Sequence, residues 1–258
     1  IDREKDRILT ILINPLMSCS ARLPVYLLIG GAVLGPYAAA GTHAMYVLGV
    51  SLAVLVAVTF RKVVPYFKGK PSPFIMELPL YSVPNVKSTL LHTWERGSLF
   101  LKKAGTIILI GIIFVWFLSS YPWNRPLNET YMAALGRVIE PFFRPLGFDW
   151  KVAVSLFFGF IAKEIVVGTF AVIFGLESED ETQDLQETLR SYGVFTPLTG
   201  LAFMAFTLIY VPCIATLGAI YRETNSWKWT IFTVVYSITL AYLVSLTIVT
   251  VGWFLGYG

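Results

Sequence analysis

Cys19 and Cys213 are the only two cysteines in the chain, and each stands within four residues of a proline. The first lies in Asn14-Pro15-Leu16-Met17-Ser18-Cys19-Ser20-Ala21-Arg22-Leu23-Pro24, the second in Tyr210-Val211-Pro212-Cys213-Ile214-Ala215-Thr216. In a continuing helix, Pro15 frees the carbonyl of Ile11, Pro24 that of Ser20 and Pro212 that of Leu208. Freed carbonyls at membrane depth are tolerated only beside protein or a water-filled cavity, and broken helices of this kind point to a transporter's binding site. Thiol and thioether groups of Cys19, Cys213 and Met17, with the hydroxyls of Ser18, Ser20 and Thr216, make a mixed soft-and-polar donor set. Such a set favours first-row transition metals over magnesium or calcium, which prefer all-oxygen cages. A bound divalent cation also promotes thiol deprotonation. Against this stands the plain use of cysteine as a small buried hydrophobe. A Cys19–Cys213 disulfide is disfavoured, because a reducing cytoplasm faces one side of such a site.

Further polar residues flank or interrupt the apolar runs. Asn14 can offer a carbonyl oxygen to a metal or cap the broken helix. Lys163 and Glu164 fall in the middle of an apolar stretch, where charges are costly and face a cavity or a partner. Glu164 therefore reads as a cation-path carboxylate or as half of a structural ion pair. Lys163 reads as a structural counter-charge, and Arg22 as a residue that snorkels to the interface. Gly159 and Gly168 flank the charged pair and offer close helix approach. His43 and His92 read as packing or surface residues.

The elements that must position these groups are membrane spans. Of 258 residues, 56% are hydrophobic and only 14% charged, well below the roughly 25% charged residues of a soluble domain. That balance excludes a soluble enzyme, a coiled coil, a disulfide-stapled module and a nucleic-acid partner; the net charge of +4 reads instead as membrane orientation. The expectation is an all-α, polytopic helical bundle in the lipid bilayer with about six spans, near 23–41, 44–60, 104–120, 152–175, 195–221 and 230–254, the first two joined by Gly41-Thr42-His43. Segment 61–103 is basic, with Arg61, Lys62, Lys68, Lys70, Lys87, Arg96, Lys102 and Lys103 against Glu77 and Glu95, which places it in the cytoplasm. Within it, Leu90, Leu91, Trp94 and Leu101 suggest an interfacial helix. Six spans then put both chain ends inside, together with the acidic segment 177–190. The opening IDREKDR, without an initiator Met, reads as the start of a piece of something longer.

The two proline–cysteine motifs, with Gly159-Phe-Ile-Ala-Lys-Glu-Ile-Val-Val-Gly168, Met76-Glu-Leu-Pro-Leu-Tyr81, Trp94-Glu-Arg96 and Lys103-Ala-Gly-Thr-Ile107, resemble the FeoB ferrous-iron transporters over nearly the whole chain. The resemblance implies the C-terminal part of that family's membrane domain, in a prokaryotic plasma (inner) membrane. It divides the chain into a first Gate-type segment at 1–60, the basic loop at 61–103 and a second Gate-type segment at 104–258. It further implies Fe2+ as the transported ion, with Cys19 and Cys213 on its path. The family's GTP-binding domain is expected elsewhere, since no G-x-x-x-x-G-K-[ST] loop occurs here. GTP and Mg2+ then belong to that missing portion, this chain carries no cofactor and no enzymatic activity, and it assembles with the missing N-terminal GTP-binding and membrane parts. Self-association into a homo-oligomer stays open. Rival readings are a Gate-type carrier of nucleosides or of another divalent metal, and a membrane thiol oxidoreductase.

Overall fold

The computed structural model describes residues 3–68, 85–123, 126–175 and 181–256. The motif Met76–Tyr81, Lys70 and Glu77 of the basic loop, and Glu177, Glu179 and Asp180 of the acidic segment lie outside the described residues. All regular structure among the described residues is helical, as expected. The helices are α1 (Glu4–Ile13), α2 (Leu23–Leu34), α3 (Ala38–Val63), α4 (Val86–Ser120), α5 (Tyr131–Phe143), α6 (Trp150–Gly159), α7 (Ile165–Phe174), α8 (Glu181–Ser191), α9 (Pro197–Ile209), α10 (Ile214–Thr224) and α11 (Trp227–Phe254).

Three stretches among the described residues, Glu4–Val63, Pro197–Thr224 and Trp227–Phe254, are long and apolar enough to cross a membrane. The protein is a membrane helical bundle. Its centre is α9, buried along most of its length, with Phe203 and Phe206 packed against Phe143, Phe148, Phe170 and Phe195. α11 lies along α9 through a stripe of small residues, Thr233, Ser237, Ala241 and Ser245, all buried. Their spacing of four puts them on one helix face, where small side chains let backbones approach; the Ser245 hydroxyl donates to the Ala202 carbonyl at 3.0 Å. Val47, Val50, Val54 and Val58 of α3 and Ile231, Val235, Leu243 and Val251 of α11 are exposed, as lipid-facing positions are.

The two proline motifs do break helices. α1 and α2 are the halves of one interrupted pass, and α9 and α10 of another. At about 1.5 Å rise per residue, a half of 10–13 residues covers only part of a hydrocarbon core about 30 Å thick. The Asp6–Arg61 ion pair at 2.9 Å fixes the start of α1 beside the end of α3. At this basic end Phe67 also meets Trp229 at the start of α11, with ring centroids 5.4 Å apart. At the opposite end, Gly252 of α11 faces Leu198 of α9.

Five sequence expectations change. The turn between the first passes is Gly35–Tyr37, not Gly41–His43: Gly35 takes φ +53° and Pro36 starts the next helical turn, so His43 sits within α3. The segment near 152–175 is not one straight helix but turns back on itself. Lys151, at the start of α6, has its ammonium 4.9 Å from the Phe174 ring centroid at the end of α7, so α6 and α7 return to one end of the bundle around a tip at Phe160–Glu164. Because of this hairpin, α8 and the start of α9 lie at the end opposite Arg61 and Lys228. The described part of the acidic segment is therefore not on the basic side, and the chain's two ends do not share a side. Finally, the expected interfacial helix is continuous with the following pass. Asn85 caps α4 by accepting from the Lys87 and Ser88 amides, and no proline stops its 35 residues. Leu90, Leu91, Trp94 and Leu101 stay exposed on it.

Two outcomes follow from this packing. A Cβ on Gly49 would lie 2.9 Å from the Leu16 carbonyl oxygen, a backbone atom that cannot yield, so Gly49→Ala is expected to cost about 1–3 kcal/mol. Gly168→Ala, which meets open space, is expected to be near neutral; thermal unfolding of the purified protein compares them. In a Cys19→Ser/Cys213→Ser background, Lys62→Cys and Ser191→Cys are expected to react with an impermeant maleimide from opposite faces of the membrane. Labelling of both from one face would contradict the hairpin.

Candidate ion-path site

Pro15 is buried in a short 3-10 turn after α1, and Met17 and Cys19 follow in extended conformation. Pro24 does not interrupt a helix. It occupies the first turn of α2, where the missing N–H is no loss, and the Ser20 carbonyl accepts from the Leu23 amide instead. In the second break, Tyr210 to Cys213 separates α9 from α10, and the Cys213 Sγ lies 3.2 Å from the Thr216 Oγ1. The third interruption, Phe160–Glu164, has no proline. Short-range bonds close α6, from the Phe160 and Ile161 amides to the Phe157 and Phe158 carbonyls. Gly159 admits the Tyr210 hydroxyl and Val166 where a Cβ would collide, so the expected close approach holds at Gly159 and not at Gly168.

The three interruptions meet. One cavity of about 510 Å³ is lined by Asn14, Pro15, Met17, Ser18, Cys19, Ser20 and Arg22 from the first, by Lys163 and Glu164 from the hairpin tip, and by Pro212, Cys213 and Thr216 from the second break. Of the residues expected on the ion path or shaping it, Pro24 stands away from the cavity, as do Gly159, Gly168, His43 and His92 among the others singled out. Both thiols are free, Cys19 exposed and Cys213 half-buried. Met17, Ser20, Asn14 and Glu164 are exposed, and Ser18 shares a 3.2 Å hydrogen bond with the Tyr26 hydroxyl. Ile161 and Ala162 also line the cavity, and neither they nor Tyr210 and Val211, the partners of Lys163, were given a role from sequence, although all four stand within the motifs around Lys163 and Pro212.

Two buried cations hold this wall together. Arg22 is 3% exposed and does not snorkel: its two terminal nitrogens donate to the carbonyls of Pro15 and Met17, each at 2.9 Å. The break leaves those carbonyls without helical partners, and the guanidinium fork can serve both at once. Lys163, also 3% exposed, reaches across the fold to donate to the Val211 carbonyl at 2.9 Å, and its ammonium lies 3.2 Å from the Tyr210 ring centroid. Among the described residues no cation lies within ion-pair distance of Glu164, so its structural-pair reading finds no partner there. The donors are not a closed cage: among the described residues no three His, Cys, Asp or Glu side chains cluster to hold an ion. The arrangement offers soft and hard donors around one cavity.

Residues 101–227 match a family model described as nucleoside recognition (Gate), and residues 43–96 match one described as ferrous iron transport protein B C terminus. The chain is 46% identical to the Fe(2+) transporter FeoB of Methanocaldococcus jannaschii over 98% of its length and 38% of the relative's. It is 39% identical to an Fe(2+) transport protein A/Fe(2+) transporter FeoB fusion protein of Porphyromonas gingivalis, over 98% of this chain and 35% of that one. With the Fe(2+) transporter FeoB of Staphylococcus aureus strain MSSA476 the identity is 38%, over 98% and 37%. The chain thus spans well under half the length of these curated relatives. No solved structure matches it. On the two matching family models and the near-complete alignment to these proteins, the chain belongs to the FeoB family.

Proposed function

We propose that this chain forms the ion passage of a FeoB-type transporter and carries Fe2+ across a prokaryotic inner membrane into the cell. The observation that supports this best is the convergence of three helix interruptions, distant in sequence, on one cavity that carries both cysteines and Met17. In a chain so similar to Fe(2+) transporters, a soft-and-polar donor set is the chemistry a ferrous ion requires. Cys19 and Met17 receive the ion on one wall and Cys213 on the other, with Ser18, Ser20, Asn14 and Thr216 supplying oxygens and Glu164 supplying charge.

Movement through it is downhill. Two charges crossing an inside-negative potential gain about 4.6 kcal/mol per 100 mV, so GTP bound with Mg2+ on another part of the whole protein gates the passage rather than drives it. In this reading the chain has no enzymatic activity of its own. Its two Gate-type segments, 1–60 and 104–258, flank the basic segment 61–103 and work with the family's GTP-binding portion.

Anaerobic ⁵⁵Fe uptake by cells carrying the full-length protein tests the reading. Cys19→Ser and Cys213→Ser are each expected to lower uptake at least about tenfold while the protein stays in the membrane, the size of effect seen when a metal's immediate surroundings lose a contact. Excess nucleoside is expected to leave wild-type uptake unchanged. Normal uptake by both variants would remove the cysteines from the path. Inhibition by nucleoside would favour the carrier chemistry for which the model matching 101–227 is described.

A further inference from the structure

The two buried cations differ in what they hold. Arg22 donates only within its own break, to carbonyls five and seven residues away. Lys163 donates to a carbonyl 48 residues away and joins two elements, the hairpin tip and the break between α9 and α10. Its surroundings are those a free cation would choose. The Val211 carbonyl lies in the interruption next to Pro212, and the face of the Tyr210 ring carries the negative side of its quadrupole. Cys213, the half-buried thiol of this wall, is two residues from that carbonyl. Lys163 therefore brings its Nζ to a break carbonyl and an aromatic face on the same cavity wall that carries Cys213.

We infer that the Lys163 ammonium is a tethered competitor of the transported cation, occupying the Val211 carbonyl and the Tyr210 ring face until a divalent ion at Cys213 displaces it. This rests on the reading that Fe2+ passes the cavity. An ion arriving at Cys213 and an ammonium still on the neighbouring carbonyl repel each other in a medium of low dielectric. The lysine thus sets how weakly the wall holds the ion, and so how readily it lets the ion go. Lys163 is in this sense a positioning and affinity-setting residue rather than a ligand. Its tether also links ion occupancy to the hairpin tip, since displacement of the ammonium removes the tip's bond to the break.

Full-length protein in proteoliposomes at a clamped membrane potential, with anaerobic ⁵⁵Fe2+, reads this as half-saturation against turnover. Lys163→Gln keeps a hydrogen-bond donor for Val211 and removes the charge; Lys163→Met removes both; Lys163→Arg keeps both. The expected result is that Gln and Met lower the half-saturating Fe2+ concentration about tenfold and also slow turnover, the scale of one nearby unit charge partly screened, while Arg keeps the wild-type half-saturation. A Gln variant with wild-type half-saturation overturns the inference, because a merely structural bond is preserved there. Loss of Gln and Met from the membrane while Arg accumulates also overturns it, since the charge is then needed for assembly alone. Absence of saturable Fe2+ uptake by the wild type overturns the transport reading beneath it instead.

Discussion

The structure depends on how a membrane bundle satisfies backbone carbonyls that its own proline breaks release. In lipid each unpaired carbonyl costs several kcal/mol, so a break survives only if donors are built in. Here the donors are cationic side chains, Arg22 on Pro15 and Met17 and Lys163 on Val211. Burying a charge is itself costly unless it is hydrogen-bonded, and a carbonyl with no other partner needs a donor. Each requirement answers the other. The breaks can therefore stay open at depth, and the cavity they line keeps its thiols, its thioether and the Glu164 carboxylate free for something else.

That solution also fixes the topology. The hairpin of α6 and α7 brings Lys163 to the second break because its tip, not its ends, reaches into the bundle, and Tyr210 also holds α6 just before the tip by donating to the Leu156 carbonyl at 3.3 Å. A continuous helix through 152–175 would carry Lys163 past the break without turning toward it. The same reversal separates the described acidic helix α8 from the basic end of the bundle.

How much of this was legible in the sequence depends on whether the cause is local. Pro15 and Pro212 act through their own rings and missing amides, so both breaks, and the cysteines beside them, could be read directly. The small-residue stripe of α11 and the exposed valines of α3 follow from composition and periodicity. The hairpin could not be read this way, because Phe160-Ile161-Ala162 is as apolar as any span and the turn is held by Tyr210 and Val211, about 50 residues away. Pro24 misled because a proline in a first helical turn looks, in sequence, like one in a helix interior. Arg22 misled for a related reason: snorkelling is the default only when no carbonyl within reach lacks a donor. The turn at Gly35-Pro36 was legible as a turn dipeptide, but the uncharged run around it drew the boundary further along.

Cys19 and Cys213 line one cavity, and the proposed function has a ferrous ion pass between them. The most direct test is the rate at which native Cys19 and Cys213 are alkylated by a small maleimide in anaerobic membranes, followed for each thiol by mass spectrometry across a series of Fe2+ concentrations. One shared cavity predicts that both thiols are protected, with half-protection at the same Fe2+ concentration. Protection of only one thiol, or half-protection at clearly different concentrations, would contradict it.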